Sequence, residues 1–167
     1  MNLQFYLEKL RNSDEFKQFI KKNPDAFLCS GFFSIDKEGR DNKQHFDFSL
    51  LGKNKIFSFQ LEENCKKVSL ENLNKTVLNK LNEEFDFNFE EIERIIYDKI
   101  IQEGIRNKIQ KILLSLQKIG KNNFLIGTVF ISSFGLIKIN INLDEKKVTD
   151  FEKKSFFDMI NILRKKK

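Results

Sequence analysis

Two stretches decide how this chain is read: Leu61-Glu62-Glu63-Asn64-Cys65-Lys66-Lys67-Val68-Ser69 and Leu143-Asp144-Glu145-Lys146-Lys147-Val148-Thr149. Both run from a leucine and an acid through a polar, lysine-bearing turn to a valine, and each follows three strand-like segments. Two such copies predict a duplicated helix-plus-three-strand unit.

Upstream of the first copy, Leu3, Leu7 and Leu10 repeat at helical spacing. After a polar break at Asn12-Ser13 the spacing resumes in Phe16, Phe19 and Ile20, with Ser13 placed to cap the second piece. Asn23-Pro24 ends the helix, because proline has no amide proton and disfavours helical dihedrals in the residue before it. A strand is expected over residues 26–35, with Phe27, Cys29, Gly31, Phe33 and Ile35 on one side. Residues 36–42 have turn composition. Phe46, Phe48 and Leu50 then alternate with His45, Asp47 and Ser49. Gly52-Lys53-Asn54 turns the chain into a third strand, where Phe57, Phe59 and Leu61 alternate with Ser58 and Gln60.

Leu70, Leu73, Val77 and Leu81 mark one face of a short connector helix over residues 69–84. Asn88-Phe89-Glu90-Glu91 has the form of a capping box. Phe89, Ile92, Ile96 and Ile100 form the buried stripe of the following helix, and Gly104 suits its end. Ile112, Leu114 and Leu116 alternate with Leu113, Ser115 and Gln117, a strand pattern, although residues 108–119 also admit a continued helix. Residues 124–132 form the next strand. Ile137, Ile139, Ile141 and Leu143 then alternate with Lys138, Asn140 and Asn142. Thr149-Asp150-Phe151-Glu152 reads as the cap of a closing helix whose apolar face is Phe156, Met159, Ile160 and Leu163.

The expected architecture is α+β: two α-βββ units with helices packed on one face of an antiparallel sheet, either one continuous sheet or two. One domain spans residues 1–167. It divides into an N-terminal half (1–69), a connector with a short helix (70–87) and a C-terminal half (88–167). A chain of 167 residues has room for one core and buries about 70% of its unfolded surface.

Residues 88–149, closing with Ile141-Asn142-Leu143-Asp144-Glu145-Lys146-Lys147-Val148, resemble the PepSY-type module, which is itself similar to cystatin-like α+β folds. Lys146 and Lys147 stand where that closing turn has a glycine. The first half resembles a more divergent copy. With Glu15-Phe16-Lys17 and Asn23-Pro24-Asp25-Ala26, the whole resembles small uncharacterised archaeal proteins. The resemblance implies a non-catalytic module that binds or restrains another protein.

Composition narrows the functional classes. Thirty Lys and Arg against 24 Asp and Glu leave a net charge of +6, with both signs interspersed, which favours solubility over any one partner. No stretch approaches the ~20 consecutive apolar residues of a membrane span. The N-terminal ten residues lack the pattern of a signal peptide. Cys29 and Cys65 are too few and too separated for a disulfide scaffold or metal knuckle, so reduced thiols and a cytoplasmic location are expected.

Candidate chemistry is sparse. His45, the single histidine, shares a strand face with Asp47, so a dyad is geometrically open, but a surface role fits better without a nucleophile in view. Cys29 is expected to be desolvated and inert; Cys65, beside Lys66 and Lys67, is the more reactive thiol of the two. Glu84, Asp86, Glu90, Glu91 and Glu93 complement a helix dipole and have no calcium-loop spacing. No cofactor, metal or catalytic residue is expected, and the protein is read as a non-enzyme with an unidentified protein partner.

The alternative is a single-stranded nucleic-acid binder using Lys138 and the basic run Arg164-Lys165-Lys166-Lys167. Against it, Lys138, Asn140 and Asn142 predict an open sheet face that is polar and without stacking rings. A small apolar ligand in a Phe-rich cavity is a further possibility, given 19 Phe and no Trp.

Overall fold

The computed structural model describes residues 2–50, 55–71, 78–81 and 87–155. Within them the chain folds as α1 (Leu3–Asn12), α2 (Asp14–Lys22), β1 (Ala26–Asp36), β2 (Lys43–Leu50), β3 (Lys55–Gln60), β4 (Lys66–Glu71), α3 (Phe89–Gln102), β5 (Ile109–Ile119), β6 (Asn122–Ile131), β7 (Gly135–Asn142) and β8 (Lys147–Ser155). All eight strands join one antiparallel sheet in the order β4-β3-β2-β1-β5-β6-β7-β8. Each half is a helical segment followed by a four-stranded meander, and the halves meet where β1 pairs β5, Phe33 opposite Leu114. The sheet is therefore single.

Each meander has one strand more than the sequence periodicity predicts. The twin acidic stretches are not exits from the sheet; they are the hairpin turns between the third and fourth strands of each half. Their likeness has a shared cause. Leu61 N–H donates to the Gln44 carbonyl at 3.0 Å, and Leu143 N–H donates to the Asn123 carbonyl at 2.9 Å. The following acids reach back to the same places: Glu62 accepts from Gln44 N–H at 3.0 Å and Asp144 from Asn123 N–H at 3.1 Å. One leucine to pack and one carboxylate to satisfy a strand-start amide explain the repeated Leu-acid pair.

The fourth strands correct two helix expectations. Ser69 and Leu70 lie in β4, and residues 78–81 have no regular structure, Leu81 being buried with its N–H on the Leu28 carbonyl at 2.9 Å. The rest of the expected connector helix, with Leu73 and Val77, lies outside the described residues. Thr149 to Glu152 pair with β7 instead of capping a helix: Phe151 faces Ile139, and the Thr149 hydroxyl donates to the Asn140 carbonyl at 3.3 Å. Thr, Asp and an aromatic serve an edge strand as well as a helix start. Phe156, Met159, Ile160 and Leu163 lie outside the described residues. Residues 109–119 are strand β5, which resolves that alternative.

The helix caps fall where the residues place them. Ser13 Oγ accepts from Phe16 N–H at 3.3 Å, and Asn88 Oδ1 from Glu91 N–H at 2.7 Å. Glu91 does not reach back to complete the box; its carboxylate meets Lys146 at 3.1 Å. The helices cover one face of the sheet. Phe16 and Phe19 of α2 meet Phe48 and Phe59 at ring separations of 5.0–6.3 Å, and Phe89 of α3 meets Phe33 at 5.0 Å. Such ring pairs contribute about 0.5–1.5 kcal/mol each beyond their burial. Lys99 of α3 lies 5.6 Å from the Phe151 ring centroid, fastening the helix toward the β8 edge.

Candidate functional site

No described helix packs on the other face of the sheet, and the register fixes what that face carries. Phe32 of β1 has His45 on one side and Ser115 on the other; Ser115 faces Ile126, which faces Asn140. In neighbouring rows Gln117 faces Phe124, Leu113 faces Thr128, and Lys111 faces Phe130, which faces Leu136. Phe27, Phe32, Leu113, Phe124, Ile126, Phe130 and Leu136 all stand outside the core cluster beneath the helices. This overturns the expectation of a polar face without rings. A β-bulge between Leu28 and Ser30 is part of the reason: it puts Leu28 into the core, turns Phe27 out, and leaves Cys29 as the extra residue.

One corner of the face is capped by an exposed aromatic. Phe134, in the β6–β7 turn, is 76% exposed and sits at φ 56°, next to Ser133 at φ 64°. A left-handed backbone costs a non-glycine residue about 1–2 kcal/mol. Phe130, Phe134 and Leu136 line a shallow depression there.

This face carries charges of both signs. Lys138 stands opposite Glu152, and Asn140 opposite Asp150, its amide 3.5 Å from the carboxylate. Lys111 is paired to Asp41, and Lys154 to Glu152 at 3.1 Å. Arg164, Lys165, Lys166 and Lys167 lie outside the described residues, so the expected basic cluster reduces here to Lys138 beside a carboxylate.

The single histidine pairs with Glu62, and the geometrically open dyad with Asp47 does not form. His45 Nε2 is 2.7 Å from Glu62, its ring 5.6 Å from that of Phe32, while Asp47 accepts from the Ser30 hydroxyl at 2.7 Å. Glu62, not Asp47, orients the imidazole. Among the described residues no hydroxyl or thiol hydrogen-bonds it.

Both thiols are held protonated. Burial, with the Asp47 charge adding to it, pushes Cys29 up to about 12, and its Sγ lies 3.2 Å from the Asp47 carbonyl. Burial also raises Cys65, against the expectation that Lys66 and Lys67 would favour its thiolate. Lys67 instead pairs with Glu15 at 2.8 Å, and the half-buried Cys65 packs against the core.

The acidic run is dispersed in the same way. Glu91 meets Lys146 and Glu93 meets Lys37, while Glu84 and Asp86 lie outside the described residues. Among the described residues no group of His, Cys, Asp and Glu is arranged to hold a metal. No described helix is long and apolar enough to cross a membrane. The phenylalanines under the helices pack ring against ring. A groove lies beside α3.

No family model matches the chain, and no curated protein matches it. Among solved structures, the chain is similar to a protein from Clostridium difficile 630 described as a candidate lipoprotein. The two share 14% identity at a TM-score of 0.56, over 84% of this chain and 91% of that one. The likeness is one of fold: a mixed helix-and-sheet architecture that spans nearly the whole of both chains.

Proposed function

We propose that this chain is a non-enzymatic protein-interaction module of the PepSY type, built from two copies of a helix-and-meander unit, whose contact surface is the open sheet face. The observation that carries this reading is the set of apolar side chains, Phe32, Leu113, Phe124, Ile126 and Phe130, standing outside the core between hydrogen-bonding neighbours. Large rings among polar groups, with charges of both signs, is the composition of a protein contact. A phosphate-binding strip needs an excess of cations, and here Lys111 and Lys154 are already paired to Asp41 and Glu152. Two free thiols are consistent with a reducing, cytoplasmic setting.

The test is capture from native lysate with the tagged chain and with a Phe32→Asp/Ile126→Asp variant. A discrete protein held by the wild type and released by the variant is expected, since central contacts contribute 2 kcal/mol or more, about 30-fold. A partner held equally by both refutes the assignment of this face.

The rings on the sheet favour one second reading, single-stranded nucleic acid stacked on Phe32, Phe124 and Phe130. Fluorescent oligo-dT and oligo-U titrations at 50 mM salt separate the two. The primary reading expects no saturable binding. Saturable binding with a steep salt slope, abolished by Phe32→Ala, transfers the function to the second.

A further inference from the structure

Away from the sheet face, a groove of about 590 Å³ runs beside the C-terminal half of α3, between that helix, the β1–β2 turn and the start of β5. We propose that it is a second binding site, for a linear acidic segment of a partner protein carrying carboxylates around a large apolar side chain. This goes beyond the open-face reading and does not depend on it.

The helix builds one wall. Arg94, Tyr97 and Ile101 follow the i, i+3, i+7 spacing of one helical flank. Tyr97 and Ile101 are 56% and 50% exposed, although the helix already buries a complete stripe through Ile92, Ile96 and Ile100. Among the described residues this second apolar strip has no packing partner that covers it, since the helix buries its core stripe elsewhere. Beneath it, Ile100, Ile105 and Ile112 give the groove an apolar floor.

The chain then places cations on the rim and holds them there. Gly104 at φ 71° donates to the Ile101 carbonyl at 2.9 Å, and Ile105 N–H donates to the Ile100 carbonyl at 3.1 Å, a Schellman closure that turns the backbone along the groove. The next residues are pinned to Ser132: Asn107 donates to its carbonyl at 3.0 Å, Ser132 N–H donates to the Lys108 carbonyl at 2.8 Å, and Lys108 N–H donates to the Ser132 hydroxyl at 3.1 Å. The backbone bearing Arg106 and Lys108 is thereby fixed before any ligand arrives, which lowers the ordering cost of binding.

Charge selects the occupant. The rim carries Lys37, Arg94, Arg106 and Lys108 against Glu93 alone, and Glu93 is engaged by Lys37. Among the described residues Arg94, Arg106 and the Lys108 ammonium have no anionic partner. The volume falls in the range of about 300–1,000 Å³ typical of ligand clefts, and its open form suits an extended segment. Guanidinium groups at two places along the groove match carboxylates spaced along a peptide.

The experiment pans a phage-displayed heptapeptide library on the full chain at 50 mM salt, then measures the leading peptide, fluorescein-labelled, by anisotropy. Enriched sequences with Asp or Glu flanking Leu, Ile, Phe or Tyr are expected. Arg94→Gln/Arg106→Gln should weaken binding about tenfold, Ile101→Gln should weaken it, and Phe32→Asp should leave it unchanged. Arg94, Ile101 and Arg106 are exposed and Phe32 is half-buried, and far-UV circular dichroism verifies that each variant is folded. The proposal is overturned by any of four results: no enrichment, enriched peptides without acids, binding undiminished in the double variant, or decanoate binding as tightly as the peptide.

Discussion

Gly127→Ala tests the packing of the second meander at its tightest place. Gly127 lies in β6 on the helix side, between Leu114 of β5 and Ile139 of β7. A β-carbon built there falls 2.7 Å from Ile139 Cγ2, 3.2 Å from Leu114 Cδ2 and 3.3 Å from the Ile139 carbonyl. Carbon pairs prefer about 3.5–4.0 Å, so the first contact is short by nearly 1 Å. Ile139 and Leu114 are fully buried, and the Cγ2 methyl is attached directly to a branched β-carbon, so neither side chain has open space to enter. Overpacking of this kind costs about 1–3 kcal/mol. Replacing a strand glycine returns about 0.5–1 kcal/mol through the unfolded chain. The net expectation is a loss of about 1–2 kcal/mol, read in a urea titration as a midpoint lowered by about 0.5–1 M. Ile139→Ala alone should cost about 2–5 kcal/mol. Because it removes the clashing methyl, the double variant should be more stable than the sum of the two single losses, with a coupling of at least 0.5 kcal/mol. Strict additivity, or a stabilising Gly127→Ala, refutes the register of β6 and β7. Ile126→Ala, one residue earlier on the open face, should cost less than a core truncation.

Three further outcomes follow from the same coordinates. Leu61→Ala, removing a fully buried side chain at the β3–β4 turn, should cost about 2–5 kcal/mol in chemical denaturation, whereas Glu62→Ala, losing an exposed carboxylate that receives Gln44 N–H, should cost about 0.5–1.5 kcal/mol. Cys29 should resist a thiol reagent in the folded protein at pH 8 and react only on unfolding, with Cys65 the faster of the two; rapid labelling of Cys29 contradicts its place in the bulge. The unfolded chain releases the Cys29 proton near the ordinary value of 9.0 while the folded chain keeps it until about 12. Stability should therefore fall as pH rises from about 9 toward 12, and Cys29→Ala should flatten that slope.

The elements of the fold were legible wherever one face of a segment is apolar and the other polar. The Phe46-Phe48-Leu50 and Ile137-Ile139-Ile141 alternations gave strands and their buried sides, and the Ile92-Ile96-Ile100 stripe gave α3. The fourth strand of each half was hidden because an edge strand buries little: Lys66–Glu71 is half charged with a two-residue apolar alternation too short to read, and Lys147–Ser155 is mostly charged. The twin stretches did mark equivalent points, but turn chemistry alone does not say whether a turn leaves a sheet or re-enters it.

The candidate face was less legible, for two local reasons. In Phe32-Phe33 adjacent residues are both apolar, so alternation cannot tell which one faces outward. At Leu28-Cys29-Ser30 the bulge reverses the phase on which Phe27 would be assigned to the core. The groove beside α3 is assembled from a helix flank, a loop and a distant turn at Lys37, a combination that no local spacing encodes.

Site-specific photo-crosslinking in native lysate tests the central claim most directly, with benzoylphenylalanine placed at Ile126 on the open sheet face or at the exposed Gln18 of α2, away from both the face and the groove beside α3. The account predicts a discrete protein adduct from position 126 that disappears with Phe32→Asp and has no counterpart from position 18. Adducts from position 18 alone, or adducts from position 126 that nuclease treatment removes, contradict it.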